Sequence, residues 1–199
     1  LVLANVGFGD AAQILGDYYS IDKGKVYYRN KILEGANPKT AELIGLSLLK
    51  DDNKIYYLNK KIENADIMSF KVLNKDYAKD KNHVYSGSEA IDSSLSEKIK
   101  DPKTFEFLPN GIIYDVWLYG KDKYNVYYIE NKMINCFNSY YFIYEVKGIN
   151  KDKVEVLNKW FIKDDKNIYF KGKILEGADY NKFEVLPNEN GKDKNQSYK

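Results

Sequence analysis

Few positions in this chain could carry chemistry. His83 is the only histidine, and one imidazole supplies neither a catalytic triad nor a histidine-rich metal site. It falls in a polar turn, where a solvated ring is the expectation. The carboxylate pairs Asp51-Asp52 and Asp164-Asp165 could suggest acid–base work or calcium. Adjacent residues do not hold two carboxylates across a substrate as glycoside hydrolysis requires. No stretch has the spaced oxygen ligands and closing glutamate of a calcium loop. A structural role suits them better, with the first aspartate accepting backbone N–H bonds inside its own turn. There is no glycine-rich phosphate loop, metal-ligand cluster or nucleophile elbow, so no catalytic residue, metal or cofactor is expected.

Tyrosine is the residue type best placed to act. Tyr27, Tyr56, Tyr85, Tyr127 and Tyr169 recur at equivalent places. Such rings could form an aromatic ladder that binds a sugar or a peptide segment. Alternatively, each ring packs on the next repeat while its hydroxyl reaches a backbone carbonyl. A second group, Tyr140, Tyr141 and Tyr144, lies in the aromatic run 140–144. With Glu145 and Asp115 it could gather in one cleft as an enzyme site. The same run also has the β-prone composition of an extra packed strand.

The elements that must position these residues repeat along the chain. Asp80-Lys81-Asn82-His83-Val84-Tyr85 returns as Asp22-Lys23-Gly24-Lys25-Val26-Tyr27, Asp51-Asp52-Asn53-Lys54-Ile55-Tyr56, Asp122-Lys123-Tyr124-Asn125-Val126-Tyr127 and Asp164-Asp165-Lys166-Asn167-Ile168-Tyr169. A worn copy, Asp193-Lys194-Asn195-Gln196-Ser197-Tyr198, closes the chain. Steps from 22 to 51, 51 to 80 and 164 to 193 are 29 residues, and those from 80 to 122 and 122 to 164 are 42. A fixed period of this size marks a repeat whose units must lean on their neighbours to bury a core.

Within a repeat, two β-prone runs around an Asp/Asn/Gly-rich tetrad read as a hairpin, with Gly24, Asn53 or Asn82 able to turn left-handed. Alternation puts Val26 and Tyr28 on one face and Tyr27 on the other. A second polar turn, Asn30-Lys31 or Gly172-Lys173, leads to a short apolar run such as Ile32-Leu33. Asn37, Asp66, Asp101 and Asp179 suit a helix cap, with Pro38 and Pro102 at the first position of a single turn. A third strand follows, as in Phe70-Lys71-Val72-Leu73 and Phe183-Glu184-Val185-Leu186. Ala41 replaces the aromatic in the first repeat and should leave a smaller contact there.

The expected fold is mainly β: tandem repeats of about 29 residues, each a hairpin plus a third short strand and a one-turn helix, stacked side by side. The expected organisation is one array over residues 1–199. Its repeats cover about 16–44, 45–73, 74–115, 116–157 and 158–186, with partial copies at 1–15 and 187–199. Inserts lengthen the third and fourth repeats, and inserts in repeat proteins fall on loops, often at the functional face.

The composition fits a folded protein, with 44% hydrophobic and 15% aromatic residues over 199 positions. The net charge of +2 and the interleaved signs select no partner. Arg29 is the only arginine, which speaks against nucleic acid, whose recognition leans on the guanidinium fork. A Lys/Asn-rich, arginine-poor chain also suggests an AT-rich bacterial genome. Cys136 stands alone and forms no intramolecular disulfide. No apolar run reaches the roughly 20 residues of a membrane helix. The chain begins at Leu1 rather than Met, consistent with a leader missing from this sequence and an exported or envelope location.

Aligned, the copies follow Asp-Lys-Asn-x-Val-Tyr-Tyr-x-Gly-Lys, then Ala-Asp-Pro-x-Thr-Phe-Glu-x-Leu. This pattern resembles the DKNYY repeat family of bacteria over nearly the whole chain, most closely at Asp164 to Leu186, Asp80 to Tyr85 and Asp101 to Leu108. Gly24, Ser86, Tyr124 and Ala41 depart from it. The resemblance implies an uncharacterised, often envelope-associated or secreted protein with no catalytic residues to carry over. The function expected is a non-catalytic module that binds a protein or glycan partner at the bacterial surface or after export. An enzyme built from the inserts and a structural spacer are the alternatives.

Overall fold

The computed structural model describes residues 12–74, 77–87, 89–90, 98–109, 119–135, 138–188 and 190–199. The chain divides into two compact bodies, residues 1–90 and 91–199. Each holds three small antiparallel sheets among the described residues.

In the first body the sheets are β1 (Gln13–Ile14), β2 (Tyr19–Asp22), β3 (Lys25–Tyr28) and β4 (Lys31–Ile32); β5 (Glu42–Gly45), β6 (Leu48–Lys50), β7 (Ile55–Tyr57) and β8 (Lys60–Lys61); and β9 (Lys71–Val72), β10 (Tyr77–Lys79), β11 (Val84–Ser86) and β12 (Glu89–Ala90). In the second they are β13 (Glu106–Phe107), β14 (Tyr119–Lys121), β15 (Val126–Asn135) and β16 (Asn138–Glu145); β17 (Glu155–Val156), β18 (Phe161–Lys163), β19 (Ile168–Phe170) and β20 (Lys173–Ile174); and β21 (Glu184–Val185), β22 (Gly191–Lys192) and β23 (Ser197–Tyr198). Every sheet is a meander in which chain neighbours pair.

The mainly β, tandem-repeat architecture is therefore present, with two refinements. The short apolar run after the second turn is a fourth strand: Tyr27 pairs with Ile32, and Tyr56 with Lys61. The strand that closes each repeat in sequence opens the next sheet, as β9 does by pairing with β10. The helical turn is minor. Asn37, Asp66 and Asp101 start single turns, and only Tyr180–Lys182, capped by Asp179, winds into a 3₁₀ helix among the described residues.

The two kinds of turn use different devices. In the first hairpin, Asp22 pairs with Lys25 across Lys23 (φ 47°) and Gly24 (φ 70°), both left-handed, which matches the twist of the strands. Asn53 and Asn82 do not take that conformation. Their hairpins close by four-residue turns, with Asp51 N–H donating to Lys54 O at 2.9 Å and Asp80 N–H to His83 O at 2.9 Å. In four sheets the second turn again uses left-handed residues, at Arg29, Leu58, Gly87 and the pair Lys171-Gly172.

Alternation along the hairpins builds the core between consecutive sheets. Val26 and Tyr28 of the first sheet pack with Leu49 and Tyr56 of the second. Leu48, Ile55 and Tyr57, on the opposite face of that second sheet, pack with Ala78 and Tyr85 of the third. In the second body Tyr119, Val126 and Tyr128 meet Ile162 and Tyr169 in the same manner. Each sheet is too small to enclose a core, so it buries apolar residues against a neighbouring sheet of the same body, and the second sheet does so on both faces.

Candidate functional site

The recurring tyrosines lie inside these junctions. Tyr56, Tyr85, Tyr127 and Tyr169 are 2% exposed or less, whereas Tyr27 is half-buried. The four buried rings therefore offer no face to a ligand. Tyr56, Tyr85 and Tyr169 pack against the preceding sheet rather than the following one, Tyr127 lies beside Phe105, and the hydroxyls do not seek carbonyls. Tyr85 donates to Asp80 Oδ2 at 2.7 Å, Tyr127 to Asp122 Oδ2 at 2.8 Å, Tyr169 to Asp164 Oδ2 at 3.2 Å and Tyr198 to Asp193 Oδ2 at 2.9 Å. Carbonyls are reached instead by tyrosines of the first hairpin strand. The Tyr19 hydroxyl lies 2.9 Å from Ser47 O and 2.8 Å from Leu58 O, and Tyr119 donates to Trp160 O at 2.8 Å. Burial pushes Tyr56, Tyr127, Tyr128 and Tyr169 up to about 12.

The first aspartate of the tetrad is the hub of the junction. Its Oδ1 accepts from the backbone N–H groups two and three residues on: for Asp80, from Asn82 at 2.6 Å and His83 at 2.7 Å. Asp51, Asp122, Asp164 and Asp193 do the same. Its Oδ2 reaches back to the preceding corner, accepting from the backbone N–H of Asn37, Asp66, Asp101, Asn150 or Asp179 at 2.7–2.8 Å. All five carboxylates are buried. Burial raises the proton affinity of Asp164, yet the N–H groups of Asn150, Asn167 and Lys166 and the Tyr169 hydroxyl outweigh it and hold the group below the usual range. The carboxylate thus shapes its own turn and clamps it to the neighbouring repeat.

The second tetrad residue accounts for the carboxylate pairs. Where the corner carries Asp66, Asp101 or Asp179, the tetrad supplies Lys81, Lys123 or Lys194, with Nζ–Oδ2 distances of 2.6, 3.0 and 2.9 Å. Where the corner carries Asn37 or Asn150, the tetrad supplies Asp52 or Asp165, whose Oδ1 accepts from the asparagine Nδ2 at 3.0 and 3.3 Å. Side-chain volume follows the same division. Corners with Phe70, Phe105 or Phe183 face Ala78, Gly120 or Gly191, and corners with Ala41 or Val154 face Leu49 or Ile162. A Cβ on Gly120 would run into the Phe105 ring, and one on Gly191 into that of Phe183. Ala41 therefore does not leave a smaller contact: fully buried Leu49 fills the space.

An open, ligand-sized feature occurs in the second body, where the insert of the fourth repeat lengthens its outer hairpin. β15 runs for ten residues and β16 for eight, against two to four for the other strands. The aromatic run is thus a strand, with Tyr128 opposite Tyr144, Glu130 opposite Phe142 and Lys132 opposite Tyr140. Beside it stands the Lys171-Gly172 turn of the next sheet. Tyr128, Glu130, Lys132, Tyr144, Glu145 and Lys147 form one wall, and Phe170 to Ile174 the other, around a cleft of about 800 Å³. Gly172 sets the approach of the walls, since a Cβ there would lie 2.7 Å from Tyr128 Cβ, and its N–H donates to the Tyr119 hydroxyl at 3.0 Å.

The rings on the hairpin are nearly parallel: Tyr128 and Tyr144 at 6.4 Å and 22°, Phe142 and Tyr144 at 6.4 Å and 12°. Tyr144 is 38% exposed. Lys132 pairs with Glu130 at 3.0 Å, and Lys171 Nζ sits 4.8 Å above the Trp160 ring and 4.9 Å above that of Phe170. The structure thus brings Tyr144 and Glu145 to one cleft. Tyr141 is half-buried on the same strand and is not among the lining residues. The side chain of Tyr140 lies outside the described residues, as do Asp115 and Cys136. Tyr128, Lys171 and Lys173 escape the sequence reading because they face one another only after two repeats have stacked.

His83 is half-buried in its turn, its ring edge-on to Tyr85 at 6.0 Å. Among the described residues no group of three or more His, Cys, Asp and Glu side chains could hold a metal, and no helix is long and apolar enough to cross a membrane.

A model of the DKNYY family matches residues 7–60 and 48–199. No curated protein and no solved structure matches the chain.

Proposed function

The chain belongs to the DKNYY family, and on that premise we propose that it is a non-catalytic repeat module. It binds a protein or glycan partner through the cleft between the lengthened β15–β16 hairpin and the β19–β20 turn, on a bacterial cell surface or after export. The cleft itself carries the reading. Four of the five recurrent tyrosines are consumed by junction packing, while about 800 Å³ of space lined by Tyr128, Tyr144, Phe170 and Ile174 stays open. That size and mixed lining are typical of ligand sites. A spacer would need neither the cleft nor a hairpin lengthened to make it.

The second reading, an enzyme in the same place, has Tyr144, Glu145 and Glu130 in its favour, because all three line the cleft. A glycan array probed with the whole chain and with Tyr144→Ala tests both. Specific spots that fade in the variant support binding, and turnover of the captured ligand moves the reading to the enzyme. Capture unaffected by Tyr144→Ala, or no capture from array and cell-envelope fractions alike, overturns the cleft as the site.

A further inference from the structure

We propose that the cleft is built for an anionic polysaccharide, an inference that rests on the binding reading above. Its rim carries Lys132, Lys147, Lys171 and Lys173 against Glu130 and Glu145, an excess of two positive charges in one concavity. Glu130 is already matched by Lys132. Lys171 is steadied by two ring faces and Lys173 is exposed, and neither forms an ion pair among the described residues. Lysine ammonium groups act as point charges and suit acidic groups spaced along a flexible chain. The Tyr128 and Tyr144 rings, near-parallel on the hairpin wall, give sugar rings an apolar aromatic contact between those charges. An acidic peptide such as poly-glutamate would satisfy the lysines and leave the two rings without a ring-shaped partner.

The test is titration of the isotope-labelled chain with oligogalacturonate, its methyl ester, hyaluronate oligosaccharide and poly-glutamate, followed by NMR shifts at Gly172 and Tyr144. Expected are shifts with the acidic glycans, weakened about tenfold in Lys171→Gln/Lys173→Gln and by added salt. Equal binding of the methyl ester overturns the charge inference and leaves the cleft as a binding site. Equal binding of poly-glutamate overturns the glycan assignment. No shift at the cleft with any acidic glycan overturns the proposal, while the array with Tyr144→Ala still judges the cleft on its own.

An independent observation carries a second proposal: the junctions form two keyed classes that admit only matching hairpins. One class combines corner Asp and Phe with tetrad Lys and a small strand residue, and the other combines Asn and Ala or Val with Asp and a large residue. All five junctions described above obey both rules at once. A hairpin of one class on a corner of the other would set carboxylate on carboxylate and ring on Leu, or leave a void. Lys81→Asp and Ala78→Leu should each lower the urea midpoint. Adding Asp66→Asn to the first and Phe70→Ala to the second should restore more than half of the loss. Losses that simply add, with no rescue in either pair, overturn the key.

Discussion

Replacing Asp80 by asparagine preserves shape and removes the charge on which one junction turns. Four donors converge on this buried carboxylate: the N–H groups of Asn82 (2.6 Å), His83 (2.7 Å) and Asp66 (2.7 Å), and the Tyr85 hydroxyl (2.7 Å). The substituted carboxamide can keep its oxygen on the turn, which aims its NH₂ at Asp66 N–H and Tyr85 O–H. Tyr85 can rotate its proton away and accept. The Asp66 amide, half-buried in its corner, cannot, and leaving such an N–H unpaired costs up to about 1–3 kcal/mol. Loss of charge assistance in the remaining bonds brings the total to about 2–4 kcal/mol. With a urea slope of about 2 kcal/mol/M, the middle of the usual range, the transition of the first body should fall by about 1–2 M. Asp22→Asn is the internal control, because that hairpin turns through left-handed Lys23 and Gly24. It should stay within about 0.5 kcal/mol of the parent chain. An Asp80→Asn midpoint indistinguishable from that of Asp22→Asn would refute the clamp.

Tyr56 has a buried hydroxyl without a hydrogen-bond partner, so Tyr56→Phe should be neutral or stabilise by up to about 1 kcal/mol, while Tyr85→Phe should cost about 1–2 kcal/mol. Equal effects in thermal melts would count against the distinction. At high pH, tyrosines held near 12 in the fold but near 10.0 when unfolded keep their protons only while folded. Stability is therefore intact below pH 10 and lost as pH rises toward 12. Absorbance at the tyrosinate band should show a late cooperative step coincident with loss of circular dichroism, and uniform titration near 10 would contradict it. At low pH the sign reverses. The Lys81 ammonium and Ser69 hold Asp66 down to about 2, so its contribution is present above about 4 and fades as pH falls toward 2. NMR titration of the Asp66 carboxyl in the parent and in Lys81→Gln measures it, and an identical midpoint in both would remove the pair from the account.

The repeat and its strands were legible because period-2 alternation survives in stretches as short as Val26 to Tyr28. So was the turn role of Asp80, since an aspartate bonding two and three residues ahead is a local matter. The fourth strands were not, because two residues such as Lys31-Ile32 carry no periodicity. The backward reach of Asp80 Oδ2 to Asp66 spans 14 residues, but the equivalent reach of Asp122 to Asp101 spans 21, which hides the common rule. The compensation of Ala41 by Leu49 was missed because the two residues lie apart in the chain and meet only across the junction. The cleft was half visible: Tyr144 and Glu145 stood out as an aromatic insert, whereas Tyr128 served as an ordinary strand residue. Its opposite wall, Lys171-Gly172, comes from a turn roughly one long repeat away in sequence.

The clamp is tested most directly by hydrogen exchange at the corner amides of Asn37, Asp66, Asp101, Asn150 and Asp179. Each sits in an irregular loop yet donates to a buried carboxylate of the next repeat. All five should exchange as slowly as the sheet amides around them, with Asp66 alone losing protection in Asp80→Asn. Corner amides that exchange at the rate of open loops in the parent chain would contradict the account.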